Sequence, residues 1–292
     1  MDALIITMKS NFHARSNSLP SKSHPLVADV EDQLRRFRAS EATFSSPSVL
    51  CQNLSALKDL YECADNLLQL QLAQKAFSNE LHDKCVEDML DGSLRVLDIC
   101  SLSKDALSQI KGCLQDLESS FRRRTGCESS LANEIRKYFI SRKQVSKIVC
   151  KCFGNMKRMQ KRNAATPEND HDFVAVVSVL KEVEAVSLSV RVSIVICLPP
   201  KIKVNWLVLG LKLIQSKRLS CEIEDKEDKI DHTLEALIKN KTSKSIDVTQ
   251  VQKALKDLEA FDSIIQELEG GLECVFRCLI KTRVSFLNIV NH

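Results

Sequence analysis

Apolar positions recur every three or four residues over most of this chain, the spacing of a helix face rather than the alternation of a strand. Leu26, Val27, Val30, Leu34 and Phe37 mark a short amphipathic helix that Pro25 opens and that ends near Ala39. SEATFSSPS follows as a linker. From Ser48 the positions Leu50, Leu54, Leu57, Leu60, Ala64, Leu67 and Leu68 predict a helix to about Leu72. Asn79 is the candidate cap of the next helix, whose long face carries Leu81, Cys85, Met89, Leu90, Leu94, Leu97, Leu107, Ile110, Leu114 and Leu117. Asp91-Gly92 and Ser103 are its candidate kinks, and RRRTG ends it.

A fourth helix is predicted from about Glu128 to Arg162, closed by NAATPEND. Thr166-Pro167 opens a fifth, through Leu180, Val183 and Leu188, until the double proline at 199–200. Proline lacks the N–H that a helix interior needs. Lys203 to Ser216 is read as a short helix and Glu222 to Lys239 as another. The last helix has the best-defined start. Asp247 stands at the N-cap, Gln250 completes a capping box three residues on, and Ile246 is placed to staple against Val251. Val251, Leu255, Leu258, Phe261, Ile265, Leu268, Leu272, Val275, Leu279 and Phe286 then recur at helical spacing. Gly270-Gly271 interrupts that face at a cost of about 1 kcal/mol per glycine relative to alanine. Such a pair marks a kink or a close approach of another helix.

Stripes of this number are buried most simply in an all-α fold, an elongated antiparallel bundle of long helices. Residues 1–24 lack the pattern and read as a disordered, basic, Ser-rich tail. Residues 25–292 are expected to form a single helical bundle domain, with 162–168 the one place where it could divide.

Composition supports the class. Gly and Pro number only 7 and 6, so turns are few for the length, and 44% hydrophobic against 27% charged residues is too apolar for disorder throughout. Twelve cysteines suggest a disulfide framework, but Cys51, Cys63, Cys85, Cys100, Cys113, Cys127, Cys197 and Cys221 are scattered singly through helical stretches. MDALIITMKS is too short an apolar run for a secretory signal, so the cysteines read as small core hydrophobes and a cytoplasmic location is expected. Val186–Leu198 and Val204–Ile214 are the most apolar stretches. Each falls short of the roughly 20 residues a membrane span needs, and Arg191, Pro199, Pro200, Lys201 and Lys203 break them.

Enzymes leave local signatures, and few are found. None of the seven glycines belongs to a phosphate-cradling loop, and neither a G-x-S-x-G elbow nor an H-E-x-x-H pair occurs. His82 and Cys85 lie one turn apart without a second pair of ligands, while Cys150-x-Cys152 and Cys274/Cys278 lack zinc-finger spacing. No catalytic residue, metal site or cofactor is expected, and the protein is read as non-enzymatic.

Charge is more informative. Arg136, Lys137, Arg142, Lys143, Lys147, Lys151, Lys157, Arg158, Lys161 and Arg162 form a run without an acid, in a chain whose net charge is only +4. The opposite face carries Ile135, Tyr138, Val145, Val149, Cys152, Met156 and Met159. Such a basic amphipathic helix suits an anionic membrane surface or an acidic partner. The reading favoured here is packing of the apolar side within the bundle, the charges paired with acids such as those of Glu222–Asp231, because charge runs are usually solvated faces. Nucleic acid is disfavoured, because no stacking aromatics accompany the charge.

In the tail, RSNSLP places Arg15 three residues before Ser18 and Pro20 two after it, with Ser16 between. Basophilic kinases read an arginine at that distance. A phosphate on Ser18 would add a charge of about −1.5 to −2, which a 14-3-3-type reader grips with clustered arginines. Ser220, in Lys217-Arg218-Leu219-Ser220, is a second and weaker candidate.

HARSNSLPSKSHPL, LKDLYECADNLLQL, DMLDGSLRVLDIC, IRKYFISRKQV, LIQSKRLSCE and above all IQELEGGLECVFRCLIKTRVSFLNIVNH resemble the plant-specific family related to the BYPASS proteins, from about His13 to His292. The resemblance implies a plant protein with a helical domain, associated with root and shoot development, and it transfers no catalytic or binding residue. The double proline at 199–200 and Gly270-Gly271 are less typical of the family. The expected function is a helical adaptor or regulatory scaffold that binds protein partners through its helical faces, with the Ser18 tail as a handle. The alternative is a peripheral membrane protein that docks Arg136–Arg162 on anionic lipid.

Overall fold

The structure, a computed structural model, describes residues 25–40, 47–77, 83–123, 128–159, 171–197, 227–239 and 248–291. The described residues are almost entirely helical and contain no strand. In chain order the helices are α1 (Pro25–Ser40), α2 (Pro47–Leu68), α3 (Gln71–Phe77), α4 (Asp83–Arg123), α5 (Glu128–Met159), α6 (His171–Cys197), α7 (Glu227–Lys239) and α8 (Val248–Val290). The expected tail, the Asn79 and Asp247 caps and the Lys203–Ser216 helix lie outside the described residues.

Helix α8 has 43 residues and α4 has 41, so each is about 60 Å long at 1.5 Å per residue. They form the spine. Arg283 meets Ser93, Lys104 pairs with Glu273, Lys111 with Glu269 and Arg122 with Glu259. One number rises as the other falls, so α4 and α8 run antiparallel. Helix α2 runs the other way relative to α4. Leu54 lies against Gly271, Lys281 pairs with Asp65 at 3.0 Å and Gln69 meets Ser285, so α2 and α8 rise together. Short connections enforce antiparallel neighbours, but α2 and α8 are joined by most of the chain and are free to align.

The helix predicted to Leu72 stops at Leu68. Leu70 N–H bonds to Leu67 O, an i to i−3 closure that tightens the last turn. Helix α3 then sets off in a new direction and brings Phe77 edge-on to Phe173 and Phe286, at centroid separations of 5.6 and 4.8 Å. Neither candidate kink breaks α4. Ser103 Oγ donates to Ile99 O within the helix, and Gly92 gives the Glu184 side chain room to lie against the backbone. Gly270-Gly271 does not interrupt α8 either. Gly271 is the close helix–helix approach, with Leu54 filling the space a methyl would take.

Helix α6 is the innermost. It packs on α1, α2, α3, α4 and α5. Phe173, Val176, Val177, Val179, Val183, Val186, Val190 and Ile194 are buried on more than one side of it. A helix that is apolar all round belongs in a core, which is why its pattern has no single face. One cluster of buried side chains joins α6 to residues from every other helix. Polar atoms carried into that cluster by α6 are therefore the chemistry of interest.

Candidate functional site

Two regions carry unusual side chains: the outer face of α5, and the interior where α6 meets α2 and α4.

On α5, Tyr138, Arg142 and Val145 fall on the buried stripe and Arg136, Lys137, Ile140, Lys143, Gln144, Lys147 and Ile148 on the exposed one. Arg142 is only 2% exposed. Its Nη1 donates to Asp231 Oδ1 on α7 at 2.7 Å, and its guanidinium lies over the rings of Tyr138 and Phe261. Arg142 is thus withdrawn from the basic surface expected of it. It is an internal clamp between α5, α7 and α8, and its partner belongs to the acidic segment that the sequence offers as a charge complement. The signal was present: Arg142 is four residues after Tyr138 and three before Val145, the phase of the apolar face.

Of the other basic residues, Lys137 pairs with Glu134 at 2.7 Å and Arg136 donates to Asn133, both on the surface. Lys143 and Lys147 are exposed. Ile140 and Ile148 stand among them as large apolar side chains at 55% and 52% exposure. The Lys151, Lys157 and Arg158 side chains, with Lys161 and Arg162, lie outside the described residues, as do Arg15, Ser16, Ser18, Pro20 and Ser220.

The interior site is one that sequence reasoning missed. Tyr61 of α2 meets Ser187 of α6, oxygen to oxygen, at 2.6 Å. Ser187 Oγ donates its proton to Val183 O at 2.6 Å, so the Tyr61 hydroxyl is the donor to Ser187. One turn on, Arg191 is fully buried, at 0% exposure. Its Nη1 donates to Ser187 O at 2.7 Å, while Nε and Nη2 have no hydrogen-bond partner. Burial raises the Tyr61 pKa, opposed by the Arg191 charge and the Ser187 hydrogen bond.

Beneath Tyr61, a cavity of about 70 Å³ opens between α2, α4, α6 and α8. Leu68, Met89, Leu180, Val183 and Phe286 form its apolar wall, and Lys181, Glu184, Thr282 and Arg283 its polar one. Arg283 is anchored to Leu90 O at 2.5 Å and to Ser93. Glu184 is largely buried against Gly92. That burial raises its pKa above the ordinary carboxylate range, although Arg95 lies 3.6 Å away. Thr282 Oγ1 is buried without a partner.

Among the described residues no group of three His, Cys, Asp or Glu is placed to hold a metal, and no helix is long and apolar enough to cross a membrane. Cys51, Cys63, Cys85, Cys100, Cys113, Cys274 and Cys278 are free thiols. Burial and the nearby Glu267 push Cys51 up to about 11, so it stays protonated and unreactive at neutral pH.

The model of one family, Protein BPS1, matches residues 53–289. The chain belongs to the BPS1 family. This is the BYPASS-related family that the sequence blocks resemble, and membership implies a role in plant development. The match takes in Tyr61, the basic run and Arg191, and leaves out the tail and α1. No curated protein and no solved structure matches the chain.

Proposed function

We propose that this BPS1-family protein is a non-enzymatic helical adaptor in plant development that holds an acidic protein partner on the outer face of α5. The observation that carries this reading is the pairing of exposed Ile140 and Ile148 with exposed Lys143 and Lys147 on one face. The opposite face is locked inward by Tyr138, Arg142 and Val145. An amphipathic acidic segment would cover the isoleucines and pair with the lysines, the arrangement by which helices dock on helical grooves. Charge steers the encounter, and the buried apolar contacts supply most of the affinity. Phosphorylation of Ser18, and more weakly Ser220, would add a handle for a 14-3-3-type reader.

The test is recovery of complexes from plant tissue with wild type, Ile140→Asp/Ile148→Asp and Ser18→Ala. A partner lost only with the isoleucine variant assigns the α5 face; one lost only with Ser18→Ala assigns the tail. Identical partners in all three contradict both.

The same mixture of isoleucine and lysine favours a second reading, docking on anionic lipid, because apolar side chains insert while lysines meet headgroups. Binding to phosphatidylserine vesicles that falls with salt and vanishes in Lys143→Glu/Lys147→Glu supports it. Indifference to both changes removes it.

A further inference from the structure

We propose that the cavity between α2, α4, α6 and α8 binds a short aliphatic carboxylate, with Arg283 and Lys181 holding the charge and the apolar wall holding the chain. Ligand sites are concave and mostly apolar, with a few fixed polar groups, and this cavity has that make-up. Arg283 is anchored on one side only: its Nη1 donates to Leu90 O at 2.5 Å and to Ser93 Oγ. Those bonds fix the plane of the guanidinium. Nε and Nη2 make no hydrogen bond among the described residues and, unlike the Arg191 nitrogens, are not sealed in the core. Their N–H groups share the edge that grips both oxygens of a carboxylate. Lys181 lines the same cavity, and it too has no hydrogen bond or ion pair among the described residues. The one carboxylate of the lining, Glu184, is engaged by Arg95. Positive charge is therefore in excess at this cavity.

Arg283 on α8 and Ser93 on α4 stand at one level of the antiparallel spine. Met89 and Phe286 line the cavity one turn to one side of that level, and Val96 and Leu279 one turn to the other. Each step is about 5 Å along the axis, within reach of a chain of about three or four carbons whose carboxylate stays at Arg283. Leu68 and Leu180 complete the apolar wall. The cavity is about 70 Å³, roughly half the volume of an engineered cavity that holds benzene, so a short chain fits and a bulky one does not. A phosphate has no apolar part to cover the wall, and an alcohol brings no charge to the two cations. No residue of α5 lines the cavity, so the site stands or falls independently of the α5 face.

The test follows thermal unfolding of the purified full chain in acetate, butanoate, butan-1-ol and inorganic phosphate, against sodium chloride at matched ionic strength. Butanoate is expected to raise Tm saturably, and more than the other three do, because a ligand that binds only the folded state stabilises it. Arg283→Met removes the two-donor edge at similar side-chain length and is expected to weaken half-saturation about tenfold, the loss of a charge-assisted hydrogen bond. Lys181→Met is expected to weaken it less, and it decides the matter if Arg283→Met does not fold. A wild-type Tm that moves no more in butanoate than in chloride overturns the proposal. So does a half-saturation unchanged in Lys181→Met and in any folded Arg283→Met. A response to butan-1-ol or to phosphate as large as that to butanoate overturns the carboxylate assignment.

Discussion

An alanine methyl at Gly271 would lie 2.8 Å from Leu54 Cδ1 and 3.1 Å from Leu54 Cβ, whereas at Gly270 or Gly112 it meets nothing within 4 Å. The Leu54 Cδ1 can swing aside, but its Cβ moves only with the α2 backbone. Gly271→Ala is therefore expected to destabilise the fold by about 1–3 kcal/mol, and Gly270→Ala or Gly112→Ala to stabilise it by about 0.5–1 kcal/mol. Urea unfolding of the three variants checks the order, and equal effects at Gly270 and Gly271 contradict the close approach. Glu184 makes a pH prediction. Its folded pKa is raised, so the folded state takes up a proton more readily than the unfolded chain. The ionised carboxylate thus opposes folding above the folded pKa and ceases to do so below the ordinary value of about 4.3. Glu184→Gln should raise Tm at pH 7, with the difference from wild type closing as the pH falls through about 4. A difference unchanged between those pH values would show that burial of the charge is not the cause.

At the scale of helices, α5 shows how much a pattern reveals. The basic run and its apolar face were both readable, and the described part of that face, Ile135, Tyr138 and Val145, packs inward; the Val149, Cys152, Met156 and Met159 side chains lie outside the described residues. The withdrawal of Arg142 into that face was readable only from its phase, because a residue type so seldom buried is counted with the surface by default. Removing Arg142 leaves Asp231, itself 18% exposed on its side chain, without its clamp. Arg142→Ala is expected to cost about 2–4 kcal/mol, against about 0.5 kcal/mol or less for Lys143→Ala or Lys147→Ala. Guanidinium chloride midpoints measure this directly, and a cost for Arg142 as small as for the lysines would return it to the surface. Helix α6 was harder to read. Its length was bounded by Thr166-Pro167 and the double proline, but Arg191 looked like a simple interruption of an apolar stretch. Burial on all sides comes from five other helices, and no local spacing encodes that.

For the whole molecule, the all-α class and the long helices followed from periodicity and scarce turn residues, while helix direction did not. Nothing in the spacing of α2 and α8 says that they run parallel, since that choice is made by the helices between them. Zero-length carbodiimide cross-linking with peptide mapping tests it: Lys281 should join Asp65, and Lys111 should join Glu269, the latter from a pair at 2.7 Å. Cross-links from Lys281 to the α1 acids Asp29, Glu31 or Asp32 in place of Asp65 would contradict the arrangement. The outer face of α5 is proposed above as a protein contact surface. A photo-cross-linking amino acid at Gln144, among Ile140, Lys143, Lys147 and Ile148, tests it most directly in plant tissue, with the same group at exposed Gln252 on α8 as the control. A discrete protein adduct is expected from position 144, absent from 252 and lost in Ile140→Asp/Ile148→Asp. Adducts that are the same from both positions, or none from 144, would contradict it.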